Sequence, residues 1–129
     1  MIHHTDVRVG NLVEYEGQIF EIDTIAKEFP TLNTSEFGIG VVDWKDLNGI
    51  PLTEEWLIKF GFRYEYKTGP QESQYSLKCD KGEFLVHFDK MANFGMILLL
   101  DDIELKSVHQ LQNLYFALTG KELTIKDNV

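Results

Sequence analysis

Cysteine is almost missing from this chain: Cys79 is the single one in 129 residues. An intramolecular disulfide is therefore impossible, and so is a zinc site built on several thiolates. Nothing calls for an oxidising compartment. Serine is scarce too. It stands at Ser35, Ser73, Ser76 and Ser107, never in the Gly-x-Ser-x-Gly setting of a nucleophile elbow. Gly38-Ile-Gly40 lacks the third glycine and the Lys-Ser/Thr that a phosphate cradle needs. The greasiest run, Phe94-Gly-Met-Ile-Leu-Leu-Leu100, falls far short of the ~20 residues of a spanning helix. The start, Met1-Ile-His-His-Thr-Asp-Val-Arg8, has no apolar run behind a basic end, so no secretory leader is expected and a cytoplasmic location is.

Positive charge is also in short supply. Twelve Lys and Arg face 21 Asp and Glu, a net charge of −9 with histidines neutral. The deficit is lopsided: residues 1–55 hold 3 basic and 11 acidic residues, whereas residues 56–129 hold 9 and 10. A duplex or an anionic membrane surface is held by Lys and Arg and repelled by such an N-terminal part. Neither nucleic acid nor membrane is expected as a partner. A local basic pocket is compatible with these numbers.

The chain is 43% hydrophobic and 12% aromatic, which excludes a disordered or collagenous polymer. Its length suits one domain over 1–129, with 1–48 a candidate N-terminal β-lobe. Leu12 to Glu16 and Ile19 to Ile25 alternate around Gly17-Gln18, the pattern of a β-hairpin. Val13, Tyr15, Phe20 and Ile22 then face the core, and Glu14, Glu16, Glu21 and Asp23 form an acidic outer face. Residues 26–38 show no period and contain Pro30, so a long loop is expected, followed by a strand over 39–44. Thr53 caps a helix carrying Glu54 and Glu55 in its first turn. Leu52 and Leu57 supply a hydrophobic staple, Trp56, Leu57 and Phe60 a buried stripe, and Gly61 a stop. Strands are expected over 62–66, 74–79, 83–89 and 96–100, the second pair joined by a turn at Asp80-Lys81-Gly82. A second helix runs over 108–119 between Ser107 and Gly120. Its stripe is Val108, Leu111, Leu114, Tyr115 and Leu118, with His109 and Phe116 on the opposite side. Residues 122–125 read as a short edge strand. Strand runs interrupted by isolated helices make the fold class α+β: a twisted antiparallel sheet packed by two short helices.

Two segments resemble a family of uncharacterised small proteins of anaerobic gut bacteria and their phages. They are Ile50-Pro-Leu-Thr-Glu-Glu-Trp-Leu-Ile-Lys-Phe-Gly-Phe62 and Val108-His-Gln-Leu-Gln-Asn-Leu-Tyr-Phe-Ala-Leu-Thr-Gly-Lys-Glu-Leu-Thr-Ile125. The opening Arg8-Val-Gly-Asn-Leu-Val-Glu-Tyr15 is similar to the start of that family. The resemblance implies a bacterial or phage cytoplasm and carries no activity or site residues with it. The opening hairpin also resembles small SH3-like barrels. Many of these bind RNA, but the acidic outer face here favours a basic protein partner instead.

Candidate chemistry is thin. His87 and Asp89 share a strand face, and with His109 they could line a pocket for acid–base work or a ligand. No histidine pair with a glutamate on one helix supports a metal there. Cys79 could be activated by His87 across the Asp80–Gly82 turn, yet pairing around that turn brings Cys79 nearer to Glu83. His3 and His4 sit where fraying is usual. Asp101, Asp102 and Glu104 lack the ligand pattern of a calcium loop and read as a charged strand exit. Phe29, Phe37 and Phe116 are the aromatics least tied to the core pattern, and they suit an apolar recognition patch. The expected function is a non-catalytic protein-interaction module. It would present Glu14, Glu16, Glu21 and Asp23 with these phenylalanines, need no cofactor or metal, and serve as a phage or mobile-element accessory. The alternative is a small enzyme or ligand-binding protein using His87, Asp89 and His109.

Overall fold

A computed structural model describes residues 2–26, 30–34, 38–79, 82–89, 94–97 and 100–126. It is α+β, with two antiparallel five-stranded sheets and two α-helices. The chain divides into two compact units. One comprises Met1–Ile50 with Val108–Asn113, the other Pro51–Ser107 with Leu114–Val129.

The first unit begins its sheet with β1 (Leu12–Tyr15) and β2 (Gln18–Thr24). The turn between them is Glu16-Gly17, one residue earlier than the expected Gly17-Gln18. Both residues have positive φ, 50° and 78°, as a two-residue type I′ turn requires. Tyr15 therefore closes against Gln18, and Glu16 belongs to the turn instead of the strand face. The segment expected as loop contains a strand, β3 (Thr31–Thr34), that follows Pro30 and pairs with β2. Leu32 is buried opposite Ile22, and the Thr24 and Thr31 hydroxyls share a hydrogen bond of 2.6 Å. One buried leucine among polar neighbours leaves too little alternation to reveal a strand by period. Next come β4 (Gly38–Val41), a 3-10 turn at Trp44–Asp46 and the two-residue β5 (Leu47–Asn48). The Asp43 side chain caps that turn by accepting from the Lys45 amide. The strand order is β4-β3-β2-β1-β5. The core is Ile2, Val7, Val13, Ile22, Leu32, Trp44 and Leu47, with Tyr15 and Phe20 packed against it.

Helix α2 (Val108–Thr119) contributes its first turns to this unit. Because β5 is so short, it covers β1 only at Glu14 and Tyr15. The backbone of Gly10 and Leu12 on that side needs another partner, and the Gln112 carboxamide is that partner. Its Oε1 accepts from the Leu12 amide at 2.8 Å, and its Nε2 donates to the Gly10 carbonyl at 3.4 Å. Asn113 Oδ1 accepts from Asn11 Nδ2 and from the Arg8 guanidinium. Asn11 in turn accepts the Arg8 amide, closing a tight turn whose Gly10 has φ of 96°. Gln112 and His109 are buried, while Leu118 is exposed. The expected helix face is thus corrected: polar residues with backbone partners replace part of the apolar stripe, and His109 does not share the exposed side with Phe116.

In the second unit, α1 (Glu54–Lys59) starts at Thr53, whose hydroxyl accepts from the Trp56 amide, and stops before Gly61 at φ of 92°. Leu52, Trp56, Leu57 and Phe60 are all buried, as the cap, staple and stripe require. The sheet runs β10-β9-β8-β7-β6. Its strands are β6 (Arg63–Gly69), β7 (Glu72–Cys79), β8 (Gly82–Asp89), β9 (Phe94–Ile97) and β10 (Leu100–Leu105). Tyr75, Phe84, Val86 and Phe88 are buried, and Phe84 meets Phe62 and Tyr115 edge to face. The expected strand over 96–100 is in fact two strands. Asp101, Asp102 and Glu104 belong to β10 itself, an edge strand, and not to a strand exit. A continuous apolar run hides the break, because no glycine or proline marks it. No strand forms over 122–125, although Leu123 is buried. Of the expected Asp80–Gly82 turn, only Gly82 is among the described residues, and it pairs with Cys79.

Candidate functional site

The outer face of the β1–β2 hairpin carries two of the four expected acidic side chains at diagonal positions. Glu14 lies directly opposite Ile19, and Glu21 follows two residues after Ile19 on the same side. The two positions are thus diagonal neighbours, with Ile19 directly opposite Glu14 and Leu12 directly opposite Glu21. Ile19 is 49% exposed, a large apolar side chain framed by negative charge. Asn48 lies beyond Glu14 in one cross-strand row, and Asn33 beyond Glu21 in the next. Asp23 departs from this register, since it occupies a bulge where the β2–β3 pairing shifts between Ile22 and Thr24. Glu16 departs as well and sits at the hairpin tip. There the Glu16 carboxylate, then burial and the Asp46 carboxylate, raise the Tyr15 phenol above its ordinary pKa. The tip therefore carries its own negative field beside the Glu14–Glu21 pair.

Of the aromatics, Phe116 lies in the part of α2 assigned to the second unit and is 38% exposed. Phe29 and Phe37 lie outside the described residues. Ile19 is the apolar member of the acidic face that the sequence reading missed. The available signal was strand parity: in an alternating hairpin, Ile19 falls on the glutamate side.

The histidine set is distributed between the units. His87 and Asp89 stand on β8 in the second, His109 on α2 in the first. His87 Nε2 is 3.4 Å from Glu72 Oε2, and Glu72 is the register partner of Asp89. Gln74 stands opposite His87 and accepts from the Tyr66 hydroxyl. Glu72, Gln74 and Tyr66 are thus polar neighbours that the sequence alone did not attach to His87. Among the described residues, no group of three His, Cys, Asp or Glu side chains is arranged to hold a metal ion. Cys79 pairs with Gly82 and His87 with Gln74. That separation of five residues along β8 is roughly 17 Å, too far for a thiol and its base. No helix among the described residues is long and apolar enough to cross a membrane.

His109 is buried, and its Nδ1 has no hydrogen-bond partner among the described residues. Burial pushes the imidazole pKa below its ordinary value, and the Asp6 carboxylate opposes this in part. The unfolded chain therefore takes up the proton first as pH falls through about 6.5. Stability is full above that pH and is lost between it and the lower folded pKa. Thermal melts of the wild type and His109→Gln should diverge on acidification from about pH 7.5 to 5.5, with the wild type falling further. Parallel slopes would remove His109 from this account.

Comparison with protein-family models, with curated proteins and with solved structures gave no match for this chain.

Proposed function

We propose that the chain is a non-catalytic protein-interaction module whose first unit docks a basic protein segment on the outer face of the β1–β2 hairpin. The observation that carries this reading is the Glu14, Ile19 and Glu21 cluster, an exposed apolar anchor with one glutamate opposite it and another two residues along its own strand. Interfaces concentrate energy in such anchors, while surrounding charge selects the partner and speeds encounter. Glu16 and Asp46 at the tip extend the field that a cationic segment would meet. The resemblance of residues 50–62 and 108–125 to small proteins of gut bacteria and phages supports a cytoplasmic accessory role in such a setting.

A peptide-display library selected on the full chain at low salt tests the reading. Selected sequences should be enriched in Lys and Arg beside an apolar residue. Their binding should fall about tenfold or more in the E14K/E21K double variant and in Ile19→Asp, and weaken with added salt. Selected peptides without basic enrichment, or equally bound by E14K/E21K, would refute the proposal.

A further inference from the structure

The second unit carries a feature of opposite sign. An open cavity of about 270 Å³ is lined by Gly61, Arg63, Ser76, Leu77 and Lys78. Arg63 and Ser76 are cross-strand partners on β6 and β7, and Lys78 follows Ser76 on the same face. Lys126 packs against Gly61. Its backbone amide donates to the Lys59 carbonyl at 2.7 Å, and its side-chain stem crosses Gly61 so closely that a Cβ there would lie 2.8 Å from Cγ. Gly61 thus serves twice. Its φ of 92° ends α1, and its missing side chain makes room for the Lys126 stem.

Two carboxylates offset this charge in part. Glu83 stands opposite Lys78, and Glu65 Oε1 takes both Nε and Nη2 of Arg63 at 3.3 and 3.2 Å and accepts the Ser76 hydroxyl. Glu65 thereby fixes the plane of the guanidinium and leaves its Nη1 edge outside that pair. In a chain of net charge −9, Arg63 and Lys78 bring two cations to the lining of one cavity.

We propose that this cavity binds a small phosphate-bearing anion. The Nη1 edge of Arg63 that Glu65 leaves open suits a phosphoryl oxygen, and Lys78 acts as a point charge beside it. The volume lies just under the usual range of about 300–1,000 Å³ for organic ligands, which favours a phosphate or diphosphate group over a bulky molecule.

The probe is inorganic pyrophosphate, titrated into the full chain and followed by amide NMR shifts. Saturable shifts should centre on Gly61, Arg63, Ser76, Leu77 and Lys78. Arg63→Gln and Lys78→Gln should each weaken binding by about tenfold, while Lys45→Gln in the first unit leaves it unchanged. Lys78 is exposed, so its variant tests the site even if Arg63→Gln folds poorly. A parallel titration with ADP separates the sources: tighter binding of ADP assigns a nucleotide phosphate, and equal binding assigns the free anion. Shifts that fail to saturate, that chloride reproduces at matched ionic strength, or that persist in both variants would overturn the site.

Discussion

Replacing Gln112 with leucine lowers the stability of the first unit by about 2–4 kcal/mol, although leucine suits a helix better and brings an apolar side chain to a buried position. Gln112 presents one donor and one acceptor, the same pair a peptide group presents, to the stretch of β1 that two-residue β5 does not reach. Removing it leaves the part-buried Leu12 amide and Gly10 carbonyl without this partner, and an unpaired polar group costs up to about 1–3 kcal/mol where water does not reach it. The gain from apolar burial recovers only part of this. The two tryptophans make the measurement specific, since Trp44 belongs to the first unit and Trp56 to the second. In a Trp56→Phe background, urea unfolding followed by Trp44 fluorescence should show the lower midpoint. An unchanged Trp44 transition would mean that the backbone at Leu12 finds another partner.

This contact also joins two segments far apart in the sequence. Arg8-Val-Gly-Asn-Leu and His-Gln-Leu-Gln-Asn113 lie about a hundred residues apart in sequence, yet Asn11 bonds to both Gln112 and Asn113, and Arg8 to Asn113. The two strings are halves of one structural clamp. Apolar periodicity cannot reveal this, because the residues that matter are polar and their partners are backbone groups at long range. His109 was misplaced for the same reason: a helix face chosen by hydrophobicity alone excludes a buried polar arc.

Elsewhere local rules were legible where they acted alone. The Thr53 cap, the Leu52–Leu57 staple and Gly61 are short-range devices, and α1 forms within the bounds they predict. The hairpin faces followed from alternation, while the turn slipped by one residue because Glu16 adopts a left-handed conformation that glutamate seldom takes. β3 and the division between β9 and β10 depend on pairing partners, and composition is silent on those. For the candidate site, charge and parity located Glu14 and Glu21. They could not show that a bulge would set Asp23 apart, nor that Arg63, Ser76 and Lys78 would line one cavity.

Phe60→Ala has the largest effect expected of any single truncation here, about 3–5 kcal/mol on the second unit. Phe60 is fully buried immediately after α1, and its ring lies 5.7 Å from that of Trp56 in a tilted pair. The loss therefore combines transfer of the ring, the cavity it leaves and a favourable aromatic contact of about 0.5–1.5 kcal/mol. Collapse around the gap is restricted on two sides. Leu57, also fully buried, belongs to the same helix and moves with it. Gly61 follows at once and is held by its positive φ and by the Lys126 stem across it. Ile58, on the exposed side of the same helix, serves as the control, and Ile58→Ala should change stability by no more than about 0.5 kcal/mol. The readout is the Trp56 transition midpoint in a Trp44→Phe background, since intensity alone would respond to the lost ring. A shift confined to Trp56, with Trp44 unmoved in the complementary background, would establish that each unit unfolds on its own core. Coincident shifts in both reporters would show that α2, which contributes to both units, couples them into one cooperative transition.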